Sequence, residues 1–535
     1  MQQNTRSLAV WQTTALYIAI YGVMAAVVLY PVLSVKIPVL CDYLNHLARM
    51  HILADIGHSA ALSSFYRVQW KPIPYLAMDV AFLPLRHIPN IYTAGRIFVA
   101  ICVLLPVPSV AILHFVVHRR FSLIPAVTFL FCYNYLLSYG LLPYLFTLSL
   151  AIMVLACWIG SVGWPRWPRA ALFCVLALAL YLCHLVAFGA YCLAVAGFEF
   201  ARAWRAGFRP WRAFAADWLA AGLQAVLPMT LALTVKLEHP FAGPVVTFYG
   251  DLGAKIIALR SPIWFFGGRA DDLPGDFALL VLILGLLTRR LRLAPAIWPI
   301  VLLIGAVAVC TPDMLFSVYG MDWRLPLLVV LLIIGGLSTT ERMNHALAAA
   351  VLGGFLLMTV VRAATIASAL SVLDRQVAEV RHVLGEMPHG MRLLMVDNLG
   401  GKQSVLPSRA TQHLGLLAVI DRDAFVPTLF TGTTIVSPAP ELLRSSTPAG
   451  LPPSVSELMV SLDHSGTSSG PQFDDAGHYI YWSRWEDMFD YILIRHLGNR
   501  AEVSLPYLRL VATSSIADLY RIDKSFKPDL RAKGP

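Results

Sequence analysis

The sequence predicts a polytopic α-helical membrane protein of about eleven transmembrane helices, followed by a C-terminal extracytoplasmic α/β domain. Three observations predict it. The 535 residues are 58% hydrophobic and only 13% charged, whereas soluble domains are about a quarter charged. The apolar residues come in long blocks, such as 98–117, 144–159 and 345–361, which suits helices in hydrocarbon. From about residue 370 onward the composition turns polar. One large water-soluble protein, a disordered chain and a fibre are all excluded.

Taken in order, the spans are about 8–33, 92–117, 121–138, 141–160, 170–184, 185–201, 215–235, 276–288, 293–311, 325–340 and 345–367. The first apolar run is too long for a signal-peptide core and lacks a small-x-small cleavage site, so it reads as a retained span. With the N-terminus in the cytoplasm, the even-numbered spans exit into the arginine-rich loops Arg119-Arg120, Arg166 to Arg169, Arg202 to Arg212 and Arg289 to Arg292, and Arg342. The tight connections at Tyr139-Gly140 and His184 carry no Lys or Arg. This is the positive-inside pattern. An odd number of spans then puts loops 34–91 and 236–275, and all of 368–535, outside the cytoplasm. The net charge of +10 sits in these topology-setting loops, so it gives no reason to expect a nucleic-acid partner. The eight cysteines all precede residue 311 and form no CxxC pair, which argues against a disulfide framework and a zinc site. No repeat of fixed period stands out.

The chain thus divides into a membrane domain, 1–367, and a soluble periplasmic domain, 368–535. In the latter, a helix pattern over 371–384 leads into the strand MRLLMVD (391–397). A second helix pattern lies around 408–420, and 489–496 and 508–514 read as strands. The Pro/Ser/Gly-rich stretch 437–471 reads as a mobile surface loop.

The most informative stretch is CDYLNHLARMHILADIGH (41–58), just after the first span. On a helix, Asp42, Asn45, His46 and Arg49 share about one third of the circumference, and the face continues as Leu53 and Ile56. Four polar groups would thus gather at the membrane surface. A carboxylate there can serve as a general base, with a cation beside it for a phosphate leaving group. Equally, Asp42 can be a plain N-cap, with Arg49 two turns further on. His51, Asp55 and His58, on the opposite face, have a spacing that can hold a metal or simply face water.

The string D-Y-L-N-H-L-A-R (42–49), with QWKPIPYLAMD (69–79) and AGR (94–96), resembles a bacterial branch of the GT-C superfamily of membrane glycosyltransferases. So do the single span before a long outer loop, the tight hairpins and the outer C-terminal domain. The resemblance implies a polyprenyl-phosphate-linked sugar as donor and an acidic residue of the first outer loop as activator of the acceptor hydroxyl, a role that falls on Asp42. No second carboxylate stands at DxD or ExD spacing, so neither a metal nor another cofactor is assigned.

A glycosyl phosphate breaks with negative charge growing on phosphate, so the site needs a cation as well as a base. Candidates on the outer side are Arg49, Lys71, Arg96, Lys255, Arg260 and Arg324. Arg324, in GMDWRLP (320–326), is favoured because it stands with Trp323 at the mouth of a span, although Arg and Trp there are also ordinary interfacial anchors. His184, at a hairpin turn facing the first loop, is a site candidate or a histidine bonded to a hairpin carbonyl. Asn134 is a further polar group within the membrane or interhelical glue. Asp251 is the second-choice carboxylate, while Asp271-Asp272 reads as a solvated turn.

Walker A, HExxH and GxSxG patterns are absent from the sequence, so P-loop, zincin and α/β-hydrolase chemistries are not indicated. The expectation is an inverting glycosyltransferase at the outer face of a bacterial cytoplasmic membrane, moving a sugar to a lipid, glycan or protein acceptor of the cell envelope. Asp42 is its base and His46 the orienter or second acid/base. Arg49, Lys71 and Arg324 bind phosphate, with Asn45, His184 and Asp251 supporting. The competing expectations are a transporter or flippase of lipid-linked sugars and a non-catalytic assembly factor.

Overall fold

In a computed structural model of the chain, the described residues are 2–208, 210–235, 245–398, 407–431, 434–447, 451–464, 479–497 and 507–525. Among them, seven helices are long and apolar enough to cross a membrane: Thr14–Leu33, Ile91–His118, Leu142–Gly160, Arg166–Cys183, Leu185–Arg205, Trp211–Thr234 and His345–Gly385. Their outward side chains include Val175, Val226 and Leu233, all exposed, which suits a hydrocarbon surround and no other. The chain is a polytopic membrane protein with a C-terminal sheet domain.

The other four expected spans take different forms. The third is a 3-10 helix, Ile124–Phe131, followed by one α turn, Tyr135–Ser138. Asn134 breaks it: its Oδ1 accepts from Leu137 N–H while its amide donates to the Phe131 and Cys132 carbonyls. Asn134 is therefore a local cap and makes no bond to another helix among the described residues. Trp298–Cys310 and Arg324–Gly336 have 13 residues each, about 20 Å at 1.5 Å per residue against a core of about 30 Å. Arg269–Leu287 opens with Asp271 and Asp272 in its first turn.

The bundle has two chemically distinct ends. At one end lie the arginine-rich loops. There Arg166 pairs with Asp217 at 2.7 Å and Arg202 with Glu199 at 2.5 Å, and the short strands Leu291–Leu293 and Leu337–Thr339 pair antiparallel. At the other end the first long loop meets the Tyr139 turn, His184 and the C-terminal domain.

The last span does not stop at the expected domain boundary. His345–Gly385 is one helix of 41 residues, because nothing between Gly354 and Gly385 breaks it. Arg362 anchors its middle. The guanidinium pairs with Asp271 at 2.8 Å and donates to the Leu130, Tyr133 and Ile263 carbonyls. The second oxygen of Asp271 accepts from the N–H groups of Phe265, Phe266 and Gly267. Asp271 is thus buried and fully bonded, not part of a solvated turn.

The C-terminal sheet has four strands: β1 (Leu393–Asn398), β2 (Tyr491–His496), β3 (Leu508–Thr513) and β4 (Ala517–Ile522). Their order is β1-β2-β4-β3, with β1 parallel to β2 and the other pairs antiparallel. The helical stretch expected near 408–420 is broken into Pro407–Ala410, a 3-10 turn and Leu417–Arg422. Of the expected loop 437–471, residues 448–450 and 465–471 lie outside the described residues, and the rest carries regular structure. Val436–Pro438 pairs with Tyr66–Val68 of the first outer loop, Pro440–Ser445 is a 3-10 helix, and Val455–His464 is a helix. Ser454 and Glu457 close a reciprocal cap on that last helix, and its prolines only punctuate.

Candidate active site

Asp42 owes its position to a turn of another hairpin. Cys41 N–H donates to Ser138 O at 3.0 Å and Asp42 N–H to Tyr139 O at 2.9 Å. The contact needs glycine at 140. Gly140 has φ +75°, and a Cβ there would stand 2.8 Å from the Asp42 nitrogen and 2.9 Å from that of Tyr43. Asp42 occupies the N-cap position of Tyr43–Asp55, yet its side chain makes no cap bond. With φ −88° and ψ −2° its backbone is already helical, whereas a capping side chain needs an extended one. The carboxylate is left free of the helix. It is 17% exposed, and its Oδ1 lies 3.5 Å from His413 Nε2.

The polar face expected on this helix is real but differently used. Asn45 donates to Thr428 O at 3.0 Å and accepts from Phe430 N–H at 2.7 Å, so it docks the C-terminal domain. His46 is buried with its ring facing the Gly140 carbonyl and the edge of Phe430. Burial first, then the Arg49 charge, hold its imidazole well below the usual range, so it stays neutral. Arg49 makes a two-point pair with Asp79, at 2.8 and 3.1 Å, with both side chains buried. Its charge is already spent, which corrects the expectation of a phosphate clamp there. On the opposite face His51 sits between Asp55 at 3.1 Å and Asp423 at 2.8 Å, and Ser59 also bonds Asp423. That face is a contact with the C-terminal domain.

Other candidates divide cleanly. Asp251 is exposed and caps Leu252–Arg260 through Ala254 N–H, and Lys71 is exposed. Arg96 bonds the Val35 carbonyl, Lys255 pairs with Asp322, and Arg260 with Asp272. His184 does face the first loop: it caps Leu185–Arg205 and meets the rings of Tyr75 at 4.7 Å and Tyr144 at 5.2 Å. Tyr75 takes a left-handed φ of +74° to do so, a strain of the kind found at sites.

Arg324 is different. It is 5% exposed, forms no ion pair among the described residues, and reaches only the Gly320 and Tyr319 carbonyls at 3.3 Å. Tyr144 covers it at 5.8 Å, and Asp42 and Tyr75 are within electrostatic reach. His184 in turn lies within reach of Arg324 and His46. Arg324 is thus an electrostatic neighbour of both Asp42 and His184.

Two participants come from the C-terminal domain and carry no signal in the sequence. His413 is one. Arg409 is the other, bonding the Tyr139 hydroxyl and lying 3.4 Å from that of Tyr135. Tyr135, Tyr139 and Tyr319 surround Trp323, with ring centroids 4.7–4.9 Å apart. A cavity of about 600 Å³ runs between helices from Arg260 and Asp272 to Leu291 and Thr339, and Asp42, His184, Arg324, Arg409 and His413 do not line it. Its lining includes Tyr17, Phe131, Ile263, Leu279, Ile334 and Phe355.

Cys41, Asp42 and His413 each bring one ligand atom within 4.8 Å of the others. The surrounding charge does not suit a dication. Burial pushes the Cys41 thiol well above its usual range, keeping it protonated. Arg324, Arg409 and Arg495 are within reach, and among the described residues only Arg495 of these is neutralised, by Asp397 at 2.6 Å. One carboxylate between two uncompensated guanidinium groups attracts an anion.

No family model matches the chain, and no curated protein matches it. Among solved structures, ArnT from Cupriavidus metallidurans bound to undecaprenyl phosphate is similar over 95% of this chain and 98% of its own, with TM-score 0.49 and 13% identity. The arabinofuranosyltransferase AftD from Mycobacteria is similar over 94% of this chain and 40% of its own, with TM-score 0.44 and 14% identity.

Proposed function

We propose that the chain is a GT-C-type membrane glycosyltransferase that moves a sugar, with inversion, from a polyprenyl-phosphate donor to a hydroxyl of a cell-envelope lipid, glycan or protein. The observation that carries the reading is Arg324: a buried guanidinium without a carboxylate partner among the described residues, within reach of one partly exposed carboxylate, Asp42. A charge buried without compensation is costly, and a phosphate supplies what is missing. A cavity between helices, apolar and about 600 Å³, suits a lipid chain.

In this reading Asp42 takes the acceptor proton as the acceptor oxygen attacks the anomeric carbon. The carbon–oxygen bond to phosphate breaks, and its electron pair leaves with the phosphate, held by Arg324 with Arg409 nearby. The interactions grow with the charge that develops, which is what lowers the barrier. Arg49, fixed to Asp79, and neutral His46 shape the helix that carries Asp42, and none of these steps calls on a metal or cofactor. Lys71 and Asp251, both exposed, remain outer candidates for headgroup and acceptor. The site faces the outside of a bacterial cytoplasmic membrane, opposite the arginine-rich loops.

The test uses purified protein in lipid, a panel of polyprenyl-phosphate sugars and crude envelope extract as acceptor, with release of lipid phosphate as the readout. Wild type releases it. Asp42→Asn keeps donor affinity and loses turnover by about 10² to 10⁴-fold, the usual share of a general base. No release from folded protein with any donor sinks the transferase reading, and equal release by Asp42→Asn sinks the base.

A further inference from the structure

We propose that Tyr75 is a second binding residue for the phosphate of the lipid donor, its hydroxyl donating to a phosphate oxygen beside the guanidinium of Arg324. The proposal rests on the reading of Arg324 as the phosphate site and adds to it a residue of the first outer loop.

The backbone sets Tyr75 apart. Its φ of +74° lies in the left-handed region, where glycine or asparagine is the ordinary occupant and an aromatic residue is an outlier. Both flanks hold it there. Ile73 is fully buried, and Leu76 N–H donates at 2.9 Å to Leu182 O, in the hairpin that carries His184. Pro72 and Pro74 stiffen the approach. A tyrosine kept in a strained backbone is there to supply something that glycine cannot.

Ring contacts bring the side chain to Arg324. Tyr75 meets His184 at 4.7 Å, His184 meets Tyr144 at 5.2 Å, and Tyr144 covers the guanidinium at 5.8 Å. The phenols of this region differ in what they are free to do. Tyr144 donates to the Arg324 carbonyl at 2.7 Å, while Tyr139 and Tyr135 face Arg409. The Tyr75 hydroxyl makes no hydrogen bond among the described residues, and the residue is only half-buried, so a ligand can reach it. Burial pushes this phenol up from its ordinary value, and it stays an O–H donor.

His184 adds to the pattern. Its Nδ1 accepts from Val186 N–H at 3.2 Å, which assigns its own proton to Nε2. Arg324, Tyr75 and His184 thus each bring a donor to one neighbourhood, and a set of donors around a buried cation selects an oxyanion.

The experiment measures binding of polyprenyl phosphate, and of the matching polyprenol, to the full chain in lipid, by the rise in unfolding temperature that each causes. Wild type binds the phosphate more tightly than the alcohol. Tyr75→Phe keeps the ring and removes one hydrogen bond to a charged group, so it binds polyprenyl phosphate about 10 to 10²-fold more weakly. It binds the polyprenol as wild type does, and without ligand it unfolds at the wild-type temperature. In lipid-phosphate release its kcat/KM falls by a similar factor. Equal affinity of wild type and Tyr75→Phe for polyprenyl phosphate overturns the inference. So does an equal loss for phosphate and alcohol, or a lower unfolding temperature of the free variant, since either gives the hydroxyl a role in the fold. If inorganic phosphate displaces polyprenyl phosphate at equal concentration, the ligand is a free anion and the assignment to a lipid fails. If wild type does not prefer phosphate to alcohol, the Arg324 reading has failed and this inference with it. If wild type prefers the phosphate and Tyr75→Phe does so equally, only this inference has failed.

Discussion

Gly140→Ala tests whether the turn at Tyr139 sets the position of Asp42. Two costs follow from the geometry. At φ +75° an alanine pays about 1 to 2 kcal/mol for the left-handed backbone. Its Cβ must also move from 2.8 Å toward the 3.4 Å of ordinary contact with the Asp42 nitrogen, so the two backbones part by about 0.6 Å. That opening weakens the bond from Asp42 N–H to Tyr139 O, worth about 1 kcal/mol net. The expected loss of stability is about 2 to 3 kcal/mol. A 1 Å misplacement of a reacting group costs roughly a hundredfold, so turnover should fall at least about tenfold. Thermal unfolding in lipid and lipid-phosphate release measure the two effects. Gly140→Asn separates their causes, since Asn tolerates positive φ but still carries a Cβ. If overlap dominates, Asn is as inactive as Ala. Wild-type turnover in both variants would refute the link between turn and carboxylate.

Two further outcomes are expected. Arg362→Met leaves Asp271 charged and buried without its cation, and should cost about 3 to 5 kcal/mol. Adding Asp271→Leu should recover part of the loss in thermal unfolding, and no recovery would mean the carbonyl contacts dominate. Folded His46 resists protonation that its unfolded form accepts below about 6.5, so stability falls as pH drops through that value, by at most about 1.4 kcal/mol per pH unit. His46→Gln should flatten the fall between pH 7 and 5, and an unchanged slope would assign it to other groups.

Seven of the eleven expected spans were legible because hydrocarbon leaves long apolar blocks, and the two ends of the bundle because the short loops at one of them are rich in arginine. The break at Asn134 was not, since a 3-10 helix is as apolar as an α-helix and differs only in hydrogen bonding. Asp42 stood out in the sequence by its place just after the first span. Its freedom from capping was not readable, because that depends on a backbone angle set by Tyr139. The pairing of Arg49 with Asp79 was hidden for a related reason. Helical spacing shows which residues share a face, but not that Asp79 would fold back onto it. His413 and Arg409 lie some 370 residues from Asp42 in the chain, and no local pattern marks a contact made between domains. The continuity of His345–Gly385 was available in the sequence, as an absence of breakers, but the change in composition near 370 suggested a boundary instead.

That helix also acts as a ruler. At 1.5 Å per residue its 41 residues extend about 60 Å, and a membrane takes up about 30 Å of them. The remaining shaft stands above the bilayer and packs against Leu417–Arg422 and β4, close in sequence to His413. A tilt of the buried half by five degrees would swing the far end by roughly 2 to 3 Å. Leu417–Arg422 also packs against Tyr43–Asp55, so the shaft joins the buried half of the helix to the domain that meets Asp42, which makes the lipid composition of the assay a variable to be controlled.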